Sequence, residues 1–170
     1  NTDNTAISGE TIDYGPCAFL DIYHPQTVFS SIDAHGRYAY DNQATVIVWN
    51  MAQFATALVP LMPETEAAVE EFTALVHAMP DLIETEWHHA FGRKIGIAAP
   101  GPEDAALVAD LLTRMAAGRA DFTNTFRALA TGTAPRDQFT DPAAFDLWAQ
   151  KWAARLESAT DPQAVMRAVN

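Results

Sequence analysis

A chain of 170 residues with 49% hydrophobic side chains can bury a real core as one compact unit, and no part of it has the composition of a disordered tail. The formal net charge is −12, the first Lys or Arg is Arg37, and residues 63–87 carry seven carboxylates without a Lys or Arg, which argues against a nucleic-acid partner. The lone Cys17 has no partner for an internal disulfide. No apolar run approaches the ~18 residues of a membrane span, so the expectation is an intracellular, cytoplasmic protein with no membrane partner. The chain begins without an initiator methionine, which leaves open a targeting segment ahead of it.

Along the chain, the pattern changes once, near residue 45. Before it the text is turn-rich: Gly9, Gly15-Pro16, His24-Pro25 and Gly36 separate short apolar pieces such as Thr11-Ile12 and Ala18-Phe19-Leu20, which predicts short strands and loops. From Thr45 to Leu61 the chain is long and apolar, with Trp49, Phe54 and Leu58 available for burial, and it predicts a buried central helix broken near Pro60. Pro63 then marks a helix start, with Ala68, Phe72, Leu75, Val76 and Met79 on one face and glutamates on the other. Gly101-Pro102 opens a helix with a stripe of Leu107, Val108, Leu111, Leu112 and Met115, stopped by Gly118. Asp121 can cap a helix bearing Phe122, Phe126 and Leu129. Asp141-Pro142 repeats the cap-then-proline signature ahead of Phe145, Trp148, Trp152 and Leu156, and Asp161-Pro162 starts a last short helix.

The first sixteen residues, "NTDNTAISGETIDYGP", place Asp3, Asn4 and Asp13 around a glycine turn. Carboxylate and carboxamide oxygens are hard ligands, and a site with few carboxylates and no His or Cys suits Mg²⁺ or Mn²⁺ sharing a substrate's phosphate oxygens. Gly9 would let the chain reverse, so that a short strand through Thr11 and Ile12 returns Asp13 beside Asn4. Gly15 frees the backbone after the ligand, and Pro16 stiffens the exit. An Asn followed by a strand and an Asp-aromatic-Gly is the metal-binding arrangement of the protein-kinase fold. Taken alone, Asp-x-Gly also fits an ordinary turn aspartate, and Asp3-Asn4 fits a capping pair.

The stretch "NTDNTAISGETIDYGPCAFLD" at 1–21 resembles the active-site signature of the selenoprotein O family, kinase-fold pseudokinases that act as protein adenylyltransferases. Further matches run in order: "GRYAYDNQ" at 36–43, "WN" at 49–50, "KIGI" at 94–97, "ADFTNTFRAL" at 120–129 and "FDLWAQKWAARL" at 145–156. The resemblance covers nearly the whole chain. It implies a mainly α fold, the helical C-terminal lobe of a protein-kinase-like fold with a small irregular β/loop corner at the N-terminus. It also implies one partial domain: metal-binding loops at 1–16, an activation-segment-like region at 17–44 and a helical bundle at 45–170, without the N-terminal lobe. Asn1 then falls inside the family's catalytic loop, and the chain is expected to be a piece of a longer protein that also continues past Asn170.

By the same resemblance Asn4 corresponds to the catalytic-loop Asn that binds metal. Asp13 corresponds to the aspartate that binds metal and contacts the nucleotide, and Asp3 to the proposed proton acceptor. Thr5-Ala6 departs from the Met-Ser or similar pairs common in the family, at positions that need not touch metal. The implied function is transfer of AMP from ATP to Ser, Thr or Tyr hydroxyls of protein substrates with Mg²⁺ or Mn²⁺, the fragment alone being inactive. A non-enzymatic pseudokinase interaction module and a true kinase moving the γ-phosphoryl group are the alternatives.

Other residues have plainer explanations. His88-His89 are adjacent, point about 100° apart on a helix and lack a spaced partner for a metal. Arg127 fits a buried structural pair, with a substrate role as the alternative, and Trp148 and Trp152 fit core positions rather than a stacking platform. Arg37 fits a structural role, with a substrate-side role as the alternative, and the glutamates of residues 64–71 fit a solvated face.

Overall fold

The computed structural model describes residues 5–10 and 18–170, which divide into two compact units. The first gathers the described residues through Ala18 with Gln26–Glu84, and the second joins Phe19–Pro25 to Thr85–Asn170. Among the described residues the structure is helical, with no strand and one isolated antiparallel bridge between Ile22 and Asp121. The short strands expected before residue 45 are therefore replaced, in the described part, by turns and that single bridge. The expected strand at Thr11-Ile12, like Gly15, Pro16 and Cys17, lies outside the described residues.

In the first unit, helix α1 covers Gln43–Leu58 and passes into a 3₁₀ turn, Val59–Leu61, at Pro60. The turn is where a proline, lacking an N–H, ends the i→i−4 ladder. The loop ahead of α1 is tied by its own polar groups. Asp33 accepts from the N–H groups of Arg37 (2.9 Å) and Tyr38 (2.8 Å), while Asn42 and Gln43 donate back to the carbonyls of Arg37 and Tyr38. These bonds, Tyr38's N–H first, hold the Asp33 carboxyl below the usual carboxylate range. Gly36 supplies the left-handed turn at φ +67°.

Two expectations for α1 are corrected. It is not a buried central helix: only Val46 and Asn50 are buried, and Trp49 and Phe54 are 45% and 40% exposed. Apolar composition gives a helix the capacity to be buried, and among the described residues one flank of α1 has no cover. Nor is the chain without a span-length segment. The stretch Tyr40–Leu61, 22 residues, is long and apolar enough to cross a membrane by length and composition alone. Apart from Asp41 at its start, its polar interruptions, such as Asn50, Gln53 and Thr56, are uncharged and so lower its hydropathy only modestly.

Helix α2, Thr65–Lys94, is 30 residues long and runs past Pro80, which removes one rung of its ladder. On its first half Ala68 is buried and Phe72, Val76 and Met79 are half-buried, but Leu75 is 60% exposed, contrary to the expected stripe. Glu64, Glu66, Glu70 and Glu71 are exposed, as a solvated face requires.

The second unit holds the better-packed core. Helices α3 (Ala105–Ala117), α4 (Phe122–Ala130), α5 (Pro142–Leu156) and α6 (Pro162–Arg167) pair as α3 on α5 and α4 on α6. Asp121, Asp141 and Asp161 each accept a backbone N–H of the helix they open, a cap worth about 1 kcal/mol apiece. Buried Ile95, Met115, Trp148 and Met166 are fully excluded from solvent. Trp148 and Trp152 stack at 5.3 Å and donate their indole N–H groups to the carbonyls of Leu107 and Ile95, so they are core residues as expected. Arg127, by contrast, is exposed and makes no ion pair among the described residues. The buried pair is Arg155 with Asp104 instead, at 2.6 and 3.0 Å. Arg127 sits on the solvent side of a nine-residue amphipathic helix whose buried face is Thr125, Phe126, Leu129 and Ala130.

Candidate functional site

Asp3, Asn4 and Asp13, the residues singled out from the sequence, lie outside the described residues. What the structure gives is the wall beside Thr5, the residue that follows Asn4. A cavity of about 1200 Å³ in the first unit is lined by Thr5, Ala6, Asp33, Arg37, Tyr38 and Asn50, among others. Its apolar side includes Val46 and Ile47 of α1, so helix and loop present a mixed surface of the kind small polar ligands use.

Three features organise this wall. Asn50, one helical turn from Val46 on α1, is 5% exposed and donates from Nδ2 to Thr5 Oγ1 at 2.8 Å. Arg37 lays its guanidinium over the Trp49 ring, 4.7 Å from the centroid, and lies 5.7 Å from that of Tyr38. Stacking fixes its plane while leaving its N–H groups unspent, and Arg37 remains exposed. Asp33 is committed to its two backbone N–H groups, so the carboxylate on this wall serves the loop.

Sequence reasoning missed Asn50. It noted "WN" as part of a motif and gave the residue no task. The signal was there: a carboxamide in the middle of a long uncharged apolar helix needs a partner once buried.

Elsewhere the chemistry is sparser. A second cavity of the first unit, about 390 Å³, lies between α1 and α2 and is lined by Ala55, Val59, Phe72 and Val76, with His77 at its edge. Among the described residues no group of three or more His, Cys, Asp or Glu could hold a metal. His88 meets the edge of Trp87, with ring centroids 5.4 Å apart. In the second unit, Lys94 donates to Asn170 Oδ1 at 2.8 Å and lies over the Phe126 ring, and burial lowers its ammonium pKa.

Comparison with known proteins gives the context for Asp3, Asn4 and Asp13. The family model described as "Protein adenylyltransferase SelO" matches residues 1–168. A protein nucleotidyltransferase YdiU of Ruegeria pomeroyi is 62% identical over 170 residues, covering 100% of this chain and 36% of the relative. Its counterpart in Roseobacter denitrificans is 61% identical with the same coverage, and that of Methylorubrum populi is 48% identical over 188 residues, covering 100% of this chain and 38% of the relative. The chain therefore spans little more than a third of the length of these relatives. With a family model matched over residues 1–168 and relatives above 60% identity along its entire length, the chain belongs to the SelO family.

Proposed function

We propose that this chain is the part of a protein adenylyltransferase that carries its metal-binding residues and proton acceptor, within the helical lobe of a protein-kinase-like fold. The observation that carries the reading is the family match across residues 1–168, which takes in Asp3, Asn4 and Asp13. In the intact protein AMP passes from ATP to a Ser, Thr or Tyr hydroxyl of a protein substrate. The donor set, the Asp13 carboxylate and the Asn4 carboxamide without thiolate or imidazole, fits Mg²⁺ or Mn²⁺. Asn4 and Asp13 would hold the ion, and bound there it supplies neutralisation of phosphate charge.

Asp3 takes the proton of the acceptor hydroxyl. The hydroxyl oxygen bonds the α-phosphorus while the bond from that phosphorus to pyrophosphate breaks. Asp13 also orients the nucleotide. The 170-residue chain alone is inactive, because a nucleotide held at one wall loses the positioning that makes the step effectively unimolecular. We further place the protein in the cytoplasm and read Tyr40–Leu61 as a helix of a soluble fold, supported by Asn50 in its middle bonding to Thr5.

The test uses the full-length protein and ATP labelled at either end. Label on the α-phosphate should reach protein and label on the γ-phosphate should not. Asp13→Ala should abolish metal-dependent nucleotide binding, whereas Asp3→Ala should spare much of that binding and depress turnover. Transfer of γ-label with release of ADP would make the protein a kinase. No transfer of either label with Mg²⁺ or Mn²⁺ would leave an interaction module.

A further inference from the structure

We propose that the large cavity of the first unit is a docking groove for a segment of a protein substrate, in which one carboxylate pairs with the Arg37 guanidinium and apolar neighbours settle on Phe29 and Ile32. That the occupant belongs to a protein substrate rests on the preceding reading. The groove and its cation are drawn from the described residues alone.

Charge singles out Arg37. It is the one Lys or Arg in residues 1–92. Asp33, the carboxylate on the same wall, has spent Oδ1 on the N–H of Arg37 and Oδ2 on that of Tyr38. The Arg37 side chain joins no ion pair among the described residues, yet it is held in place. Its Cζ lies 4.7 Å from the centroid of Trp49 and 5.7 Å from that of Tyr38. Contact with the rings sets the plane of the guanidinium and leaves its edge free to give two parallel N–H bonds to one carboxylate. A methionine would cover Trp49 as well, and what arginine adds is that fork.

The surroundings say what carries the carboxylate. At about 1200 Å³ the cavity exceeds the span usual for small-molecule sites and has room for several residues of peptide. Phe29 and Ile32 line it and are 45% and 91% exposed, so the groove offers apolar surface beside the cation. Arg, Tyr and Trp together are also the residue types that dominate protein-docking energetics. A single guanidinium on a wall that already carries Asp33 balances one negative charge, which favours a carboxylate over a phosphate dianion. The net charge of −12 repels an acid-rich partner at long range, so the fitting segment has one Glu or Asp set among neutral and apolar residues.

The experiment uses the full-length protein and the fluorescein-labelled peptide Gly-Ser-Ala-Leu-Glu-Leu-Ala-Ser-Gly, with counterparts that have Gln or phosphoserine at the centre. Binding is read by fluorescence polarisation, and a benzophenone-bearing copy of the Glu peptide maps the site by photo-crosslinking. Wild type should bind the Glu peptide about tenfold more tightly than the Gln peptide, the effect of one charge-assisted bidentate pair at an exposed site. Arg37→Met should bring the two within about twofold of each other. Arg37→Lys, which keeps the charge and loses the fork, should leave about a threefold difference. Ile32→Ser should weaken both peptides alike, by about threefold, and leave their ratio in place. The phosphoserine peptide should bind no more tightly than the Glu peptide, and cross-links should fall within residues 29–50.

Equal affinity for the Glu and Gln peptides, a ratio that survives Arg37→Met, cross-links outside residues 29–50, or no binding of the Glu peptide at about 1 mM would each overturn the proposal. Tighter binding of the phosphoserine peptide would make this a phosphate site and overturn the carboxylate assignment. None of these readings needs turnover. If the ratio is present and lost in Arg37→Met while no AMP reaches any protein, the proposed activity fails and the groove stands. If AMP is transferred while the ratio is absent, the groove fails and the activity stands.

Discussion

Removing Arg155 should destabilise the second unit more than neutralising Asp104, and removing both should restore part of the loss. Asp104 has a side chain only 3% exposed, and its carboxylate takes two hydrogen bonds from Arg155, at 2.6 and 3.0 Å, and one from the Gly101 N–H at 2.9 Å. Arg155 is 37% exposed and can rehydrate when left alone, whereas the carboxylate cannot. Arg155→Met therefore strands a buried charge with one N–H for company, which costs about 3 kcal/mol, the low end for breaking a buried pair because one partner is partly solvated. Asp104→Asn keeps the shape and an acceptor for Gly101, and should cost about 1 kcal/mol.

The double variant removes the stranded charge and should be more stable than Arg155→Met alone. In wild type, burial pushes the Asp104 carboxyl up, but the Arg155 and Gly101 hydrogen bonds outweigh it and the pKa is lowered. The pair's contribution is thus present above pH ~4 and is lost as pH falls through the depressed value. Without Arg155 only burial and one N–H remain, so the folded pKa rises and acid relieves the penalty. The gap between wild type and Arg155→Met should narrow from pH 7 towards pH 4. Urea unfolding followed by tryptophan fluorescence reports this, because Trp148 is wholly buried beside α3. With a slope of about 1.5 kcal/mol/M the midpoint of Arg155→Met should fall by about 2 M. A double variant less stable than Arg155→Met, or a gap that widens in acid, would refute the reasoning.

Gly96 adopts φ +91°, and an added Cβ would sit 2.8 Å from Cβ of Pro162, so Gly96→Ala should cost about 2–4 kcal/mol and lower the melting temperature of the second unit by several degrees. Asp33, held low by the N–H groups of Tyr38 and Arg37, should titrate below its ordinary value of 3.8, and the turn at residues 33–38 should stay intact at neutral pH and open only as pH falls through that depressed value. Amide shifts of Arg37 and Tyr38 followed by NMR against pH check this, and a midpoint at or above 3.8 would contradict it.

How far the sequence could be read depended on the range of each interaction. The caps at Asp121, Asp141 and Asp161, the break at Pro60 and the stripe ending in Met115 depend on neighbours within a turn or two, and all lie where the local pattern puts them. Arg155 finds Asp104 across 51 residues, and Asn50 finds Thr5 across 45, and nothing local announces either pair. Exposure of α1 and of Leu75 was illegible for another reason. Periodicity identifies a face that water disfavours, and cover for that face comes from elsewhere in the polypeptide. Asp3, Asn4 and Asp13 were legible as a pattern of oxygen ligands and through a family resemblance, and neither carries their geometry.

The family-like motifs divide by what the structure asks of them. "KIGI" supplies a lysine bonded to Asn170, a wholly buried Ile95 whose carbonyl receives Trp152, and a glycine no other residue could replace without strain. "ADFTNTFRAL" supplies a buried alanine, a cap and the Phe122–Phe126 contact, and "FDLWAQKWAARL" supplies Phe145, the two tryptophans and Arg155. Packing, capping and one ion pair account for these residues without any ligand, except for Thr125, whose buried Oγ1 has no hydrogen-bond partner among the described residues. Apart from the Arg37 guanidinium, "GRYAYDNQ" is likewise accounted for by its own hydrogen bonds. What packing leaves unexplained among the described residues is the half-satisfied Asn50, which bonds Thr5, and the buried hydroxyl of Thr125. Similarity along residues 94–156 therefore speaks to the fold, and the chemistry proposed above rests on Asp3, Asn4 and Asp13. Lesions in the former should reach function through a lowered melting temperature, whereas lesions at Asp3, Asn4 or Asp13 should reach it with the second unit still intact.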